Sequence, residues 1–228
     1  MKISGAVRHV VGAALIAAAA ATLAAQQTGV HPVSGRRFAE VMDAAGAPWL
    51  DRSDRDIEEA PDEALNIIGV KKGSTVADVG AGSGYMTVKL AKRVGNTGIV
   101  YATDIQPAMM ALLDERMKKQ KITNVRSVIG TVDDPKLPAA SIDMALLVDV
   151  YHEFSQPQVM LRRIHEALKP GGRLMLLEYK KEDPSIPIRP EHKMTVGEAK
   201  QEVEAEGFKP GRVSDELPRQ HVLIFNKR

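Results

Sequence analysis

The chain has 228 residues, 44% hydrophobic and 26% charged, which suits one domain of ordinary size with extensions and excludes a disordered or fibrous protein. It contains no cysteine, so disulfides, thiolate metal sites, a cysteine nucleophile and a lipidated N-terminal cysteine are all excluded. The formal charge of +2 is matched by Lys2 and Arg8 near the N-terminus; beyond them the charges balance, and no basic stripe remains to argue for nucleic acid as a partner.

Lys2, Arg8 and His9 precede an apolar, alanine-rich run from Val10 to Ala25. A basic start, a short apolar stretch and small residues at Thr22 to Ala25 match a secretory signal peptide over residues 1–25. Export to a periplasm or the medium follows, with no stable membrane association after cleavage. The run is short and weakly apolar for a span of about 20 residues; an uncleaved membrane anchor is the alternative. Residues 26–60 read as a leader and helical cap. Within them a helix is expected over Arg36 to Leu50, with Phe38, Val41 and Met42 on one face. Trp49, the one tryptophan, either closes over a ligand or anchors that helix. The charge-dense stretch Asp51 to Asp62 reads as a solvated face.

From residue 61 to 228 the pattern alternates between strand and helix. Pro61 suits the first position of a helix ending near Ile68. Strands are expected at Thr75–Val79, Ile99–Thr103, Val125–Ile129, Ile142–Val148 and Arg173–Glu178. Helices are expected at Tyr85–Val94, Pro107–Lys119, Gln156–Leu168 and Thr195–Glu206, with Lys169-Pro-Gly-Gly172 as a helix stop. Such alternation indicates an α/β fold, a doubly wound and mostly parallel sheet with helices on both faces. Phe208–Leu217 and Gln220–Asn226 break the alternation and read as a terminal antiparallel hairpin.

The most informative stretch is Val76-Ala-Asp-Val-Gly-Ala-Gly-Ser-Gly84. It reads as a buried strand stopping at a tight glycine turn that opens a helix, whose unpaired N–H groups offer a surface for polar or anionic groups. A dinucleotide fingerprint wants G-x-G-x-x-G. Here Gly80, Gly82 and Gly84 alternate, the third glycine comes one place early, and Tyr85 fills the expected slot. The second strand leads to Asp104, 26 residues after Asp78, where a carboxylate can accept both ribose hydroxyls or cap the next helix. The fourth runs into Val148-Asp-Val-Tyr-His-Glu-Phe154, placing Asp149, Tyr151, His152 and Glu153 beyond a strand's carboxyl end, where ligands sit in open α/β sheets.

With Asp78 two residues before the first glycine, the pattern resembles motif I of the class I S-adenosylmethionine-dependent methyltransferases. The resemblance runs from about residue 60 to the end through Asp104, the Leu137-Pro138 loop, Asp149 and the Lys169-Pro-Gly-Gly turn. Its flavour is that of the ubiquinone-biosynthesis and arsenite groups, although the arsenite enzymes use cysteines. It implies a Rossmann-like fold over residues 61–228 and S-adenosyl-L-methionine as cofactor. Asp78, Gly80, Gly82, Gly84, Tyr85, Asp104, Ile105, Thr131, Asp133 and Asp149 are then the cofactor-binding candidates. Thr131 stands where many members have Asp, and the acids come later, at Asp133 and Asp134.

Asp149, Tyr151 and His152 are the implied catalytic residues, with His152 a candidate base because its ordinary pKa lies near neutral. Glu178, Tyr179, Arg189 and His192 are candidate acceptor contacts on or before a long loop. The implied reaction is methyl transfer to a small-molecule acceptor. The alternatives are an aminopropyl transferase on the same fold and a non-catalytic binding module. No metal is expected, because histidines 152, 165, 192 and 221 lie on different predicted elements. Ser83 lacks the glycine two places before it that a nucleophile elbow needs.

Overall fold

A computed structural model describes residues 29–227; the expected signal peptide at 1–25 and leader residues 26–28 lie outside the described residues. Seven strands make one sheet: β1 (Thr75–Val79), β2 (Ile99–Asp104), β3 (Val125–Ile129), β4 (Ile142–Val148), β5 (Leu168–Tyr179), β6 (Lys209–Ser214) and β7 (Gln220–Asn226). Their order is β3-β2-β1-β4-β5-β7-β6. The first five pair in parallel, and β7 runs antiparallel between β5 and β6. This is the expected doubly wound α/β sheet with its terminal hairpin.

The β1 side chains alternate between two buried faces, as the pleat requires. Val76 joins Leu65, Ile68, Leu90 and Val94 on one side, while Ala77 and Val79 join Leu161, Ile164 and Val203 on the other. Those partners come from α3 (Pro61–Ile68) and α4 (Tyr85–Val94) on the first face, and from α6 (Pro157–Ala167) and α7 (Val196–Ala205) on the second. Between these pairs in the chain, α5 (Pro107–Gln120) adds Met110, Leu113 and Met117 to a cluster beside α4. Pro61, Pro107 and Pro157 each open a helix, where a missing N–H breaks no hydrogen bond. Thr195 and Glu198 form a reciprocal capping box on α7.

The N-terminal expectations need correction. Among residues 36–50 only a short 3-10 turn (Ala44–Gly46) and the four-residue α1 (Ala47–Leu50) are helical. The rest is an extended strap whose N–H groups are taken by tertiary partners: Phe38 N–H donates to Gly29 O and Ala39 N–H to His152 O. Arg36 fixes the strap to α7 through two 3.0 Å hydrogen bonds to Glu202. Nor is the stretch 51–62 merely a solvated face. In α2 (Arg55–Glu59), Arg55 and Glu59 form a buried ion pair, and Arg55 donates to Leu50 O. The Lys169–Gly172 turn is also absorbed into β5, which starts at Leu168; a register shift between Ile142 and Met144 accommodates it.

β1 and β4 are neighbours in space whose chain connections leave in opposite directions, so a crevice opens beyond their carboxyl ends. The candidate site lies there.

Candidate functional site

The glycine turn after β1 forms one wall of a cleft of about 400 Å³, within the range of small-ligand sites. Its three glycines do different work. Gly80 lines the cleft at φ +75°, and a Cβ there would lie 2.4 Å from Val150 Cγ2, so a side chain would collide with the loop after β4. Gly82 lines the cleft at φ +53° and donates its N–H to Asp104 Oδ2 at 2.9 Å. Gly84 does not reach the cleft; it precedes α4, where a Cβ would press on Leu113 and Met117.

Asp78 and Tyr85 are also turned away from the cleft. The Asp78 carboxylate is buried beneath the turn and accepts a 2.6 Å hydrogen bond from Thr87 Oγ1. Burial raises its pKa to about 6, against the lowering effect of that bond. Tyr85 donates to Asp56 and packs under the Arg55 guanidinium, 4.3 Å from the ring centre.

Asp104 sits at the cleft with both carboxylate oxygens oriented by backbone: Oδ1 accepts from Gln106 N–H and Oδ2 from Gly82 N–H, each at 2.9 Å. Each oxygen keeps a further lone pair. Ile105 and Thr131 line the same end, while Asp133 is held outside it by the Thr131 hydroxyl at 2.6 Å.

Beyond β4 the backbone turns through Asp149 at φ +52°, a left-handed conformation uncommon for a non-glycine residue. Its Oδ2 accepts from Gln220 Nε2, but its buried Oδ1 has no partner within the protein. Burial pushes the carboxyl well above the usual range, and the Glu59 and Glu178 carboxylates add to the effect. Strain, burial and an unpartnered oxygen thus coincide in one residue at the cleft.

The 3-10 turn Tyr151–Glu153 follows. Glu178, fully buried on β5, holds it with both oxygens: Oε1 accepts from Tyr151 N–H at 3.0 Å and Oε2 lies 2.5 Å from His152 Nδ1. With Nδ1–H donated to Glu178, His152 presents a lone pair on Nε2, which lies 3.2 Å from His192 Nδ1. Tyr151 is fully buried with its ring 5.7 Å from the Arg36 guanidinium and does not reach the cleft. Glu153 does reach it, and burial raises its carboxyl to about 7, although His152 acts to lower it. Burial and the neighbouring His152 lower the pKa of His192.

Tyr179, Arg189 and His192 line the cleft as expected of acceptor contacts; Glu178 acts from behind through His152. Trp49 also lines it, under the Arg52 guanidinium at 4.1 Å. Sequence reasoning missed Met42, Leu50 and Gln106. Gln106 Nε2 donates to Met42 O at 2.9 Å and ties the strap to the floor. Trp49 was the one sequence signal that this segment covers a site. Although the histidines are scattered along the chain, folding brings one ligand atom each from His152, Glu153 and His192 within 4.8 Å of one another.

The donor set suits an elongated ligand bearing a diol near Asp104, an apolar ring against Ile105 and an ammonium near Asp149. A methyltransferase-domain family model matches residues 76–172, which covers the glycine turn, Asp104, Asp149 and His152. The chain is 32% identical over 118 residues to the ubiquinone/menaquinone biosynthesis C-methyltransferase UbiE of Citrobacter koseri, covering 51% of this chain and 47% of that one. The Hydrogenovibrio crunogenus protein of the same name is 32% identical over 119 residues. The chain thus spans about half the length of the curated relatives it matches. A solved SAM-dependent methyltransferase from Aquifex aeolicus is 28% identical with a TM-score of 0.79, over 82% of this chain and 100% of that chain. The turn that orients Asp104, the open acceptor on Asp149 and these likenesses agree: residues 76–172 match a methyltransferase domain, and the chain is similar in sequence and fold to S-adenosylmethionine-dependent methyltransferases.

Proposed function

We propose that the protein transfers a methyl group from S-adenosylmethionine to a small-molecule acceptor. One observation carries this reading. A single cleft joins Gly80, Gly82, Asp104 and Asp149 to the His152 lone pair, so a donor and an acceptor fit end to end in one enclosure. When bound, the cofactor supplies an electrophilic methyl group on a sulfonium that leaves as a neutral thioether. The chain's own residues hold and align. Asp104 accepts the ribose hydroxyls, Asp149 Oδ1 accepts from the ammonium, and Ile105 and Thr131 flank the adenine. Val150 packs beside Gly80, and the strap residues Met42 and Leu50 exclude water, so that proximity and desolvation supply the rate. His152, fixed by Glu178, faces the acceptor with Nε2. Of the three catalytic candidates, His152 turns Nε2 toward the acceptor end, Asp149 is given to the cofactor, and Tyr151 is buried in the packing.

The apolar lining from Trp49, Phe154 and Ile188 supports a largely apolar small molecule as acceptor and gives no footing for nucleic acid. Residues 1–25 support export to the periplasm or medium. N-terminal sequencing of the mature protein from fractionated cells checks this: a mature chain beginning near residue 26 is expected, and an intact N-terminus retained with membranes points to an anchor instead. The methyl-transfer reading is tested by calorimetry with S-adenosylhomocysteine, where saturable one-to-one binding is expected and its absence in folded protein would sink it. Labelled S-adenosylmethionine incubated with cell extract then separates turnover from mere binding.

A further inference from the structure

We propose that His152, Glu153 and His192 hold a divalent transition-metal ion at the acceptor end of the cleft. The three residues come from two short 3-10 turns, Tyr151–Glu153 after β4 and Pro190–His192 after β5. One ligand atom from each lies within 4.8 Å of the others. His152 Nε2 and His192 Nδ1 are 3.2 Å apart, and His192 Nδ1 and Glu153 Oε1 are 3.9 Å apart. Ligand atoms bound at about 2.0–2.1 Å around a tetrahedral ion stand about 3.4 Å from one another. The two His192 separations bracket that figure, and the third stays within 4.8 Å, a spacing that side-chain adjustments on two short turns can close.

A second, independent feature is the support behind the first histidine. A metal-bound imidazole commonly donates its other N–H to a carboxylate, which fixes the tautomer and directs the lone pair at the ion. Glu178 does this for His152 at 2.5 Å, from a position with no solvent access. Glu153 is positioned from the opposite side, where its Oε1 accepts from Met42 N–H at 3.3 Å. The strap, β4 and β5 therefore all contribute to orienting the same three ligands.

Two imidazoles and one carboxylate suit zinc, iron(II), cobalt(II) or manganese(II) better than magnesium or calcium, which favour all-oxygen shells. Three protein ligands leave at least one position open, the mark of a reactive rather than a structural site. All three residues line the cleft, so the open position faces the acceptor. The inference rests on the methyl-transfer reading for its use. A hydroxyl-bearing acceptor bound there loses its proton to solvent more readily. Its oxygen then forms the new bond to the methyl carbon, the carbon–sulfur bond breaks, and sulfur keeps the electron pair.

The test uses untagged mature protein stripped with a chelator, dialysed, and titrated with Co²⁺ and then Zn²⁺. One Co²⁺ per chain with a visible ligand-field band is expected, displaced by Zn²⁺. Glu153→Gln and His192→Ala should each weaken uptake by at least about tenfold. No uptake, or uptake unchanged in both variants, overturns the proposal and leaves the two imidazoles sharing a proton only. Calorimetry with S-adenosylhomocysteine on the same stripped protein separates the two readings. Cofactor binding without metal uptake removes the ion alone; metal uptake without cofactor binding removes methyl transfer and keeps the site.

Discussion

Two aspartates at neighbouring strand ends, both cofactor-binding candidates in the sequence, are placed differently by the structure. Asp78 is a cofactor-binding candidate by the resemblance, yet its carboxylate is taken by Thr87 beneath the turn. Asp149, with an unpartnered and buried Oδ1 on a left-handed backbone, is the acid that faces the cleft. A charge-assisted hydrogen bond contributes about 1.5–3 kcal/mol, so Asp149→Asn should weaken S-adenosylhomocysteine binding about ten- to a hundredfold. Asp78→Asn should change it by less than about threefold, since no bond to the ligand is lost. Calorimetry on both variants decides, and the reverse ranking would restore Asp78 to the site.

Asp78 has a different signature, in stability. Burial raises its pKa to about 6 in the folded protein, against about 3.9 in an unfolded chain. The folded state therefore binds more protons between those values, and stability from this group is present below pH 4 and lost as pH rises through 6. The difference amounts to roughly 3 kcal/mol. Asn is neutral throughout, so the urea stability of wild type minus that of Asp78→Asn should fall by this order between pH 4 and pH 7. A difference that stays flat with pH would mean that the carboxylate is solvated or ionised throughout.

At residue scale the glycine spacing and Asp104 could be read directly, because strain and close approach leave few residue types that fit. The choice between Asp78 and Asp149 could not, since it turns on which way a side chain points from a strand end. That His192 meets His152 and Glu153 was hidden for a related reason: His152 and His192 are 40 residues apart in the chain and come together only when β5 is laid beside β4.

The strap at residues 29–50 is the element that pattern reading misjudged. Phe38, Val41 and Met42 have helical spacing, but a helix needs the N–H groups that Gly29 and His152 carbonyls have taken. Arg36 is the residue that decides. Its guanidinium is buried, bonded twice to Glu202 on α7 and once to His152 O at 3.0 Å. Removing one member of a buried pair strands the other, at a cost of about 3–5 kcal/mol, whereas replacing both with apolar groups is often neutral. Arg36→Met should thus lower the urea midpoint markedly, and Arg36→Met/Glu202→Leu should recover most of the loss. If the single variant lost less than about 1 kcal/mol, the strap would be held by its backbone bonds instead. The parallel core, by contrast, needed only short apolar runs and proline-opened helices, which local sequence carries without help from distant residues.

For the whole molecule, the cleft is the only feature among the described residues that collects the strap, the ends of β1 to β5 and the loop after β5 around one space. Few direct bonds join the strap to the parallel sheet's loops; Gln106 to Met42 O and Met42 N–H to Glu153 are two of them. A ligand lying across Gly82, Asp104 and Asp149 touches the strap through Met42 and Leu50 and adds to that small set. Binding to the folded state alone stabilises by RT ln(1 + [L]/Kd), about 2.7 kcal/mol at a hundred times Kd. Local opening of the strap should be suppressed along with global unfolding if the strap is part of the site. S-adenosylhomocysteine should therefore raise the melting temperature and also slow proteolytic cleavage within residues 29–59. Global stabilisation with no change in cleavage there would place the strap outside the binding unit and make it a structural clamp on α7.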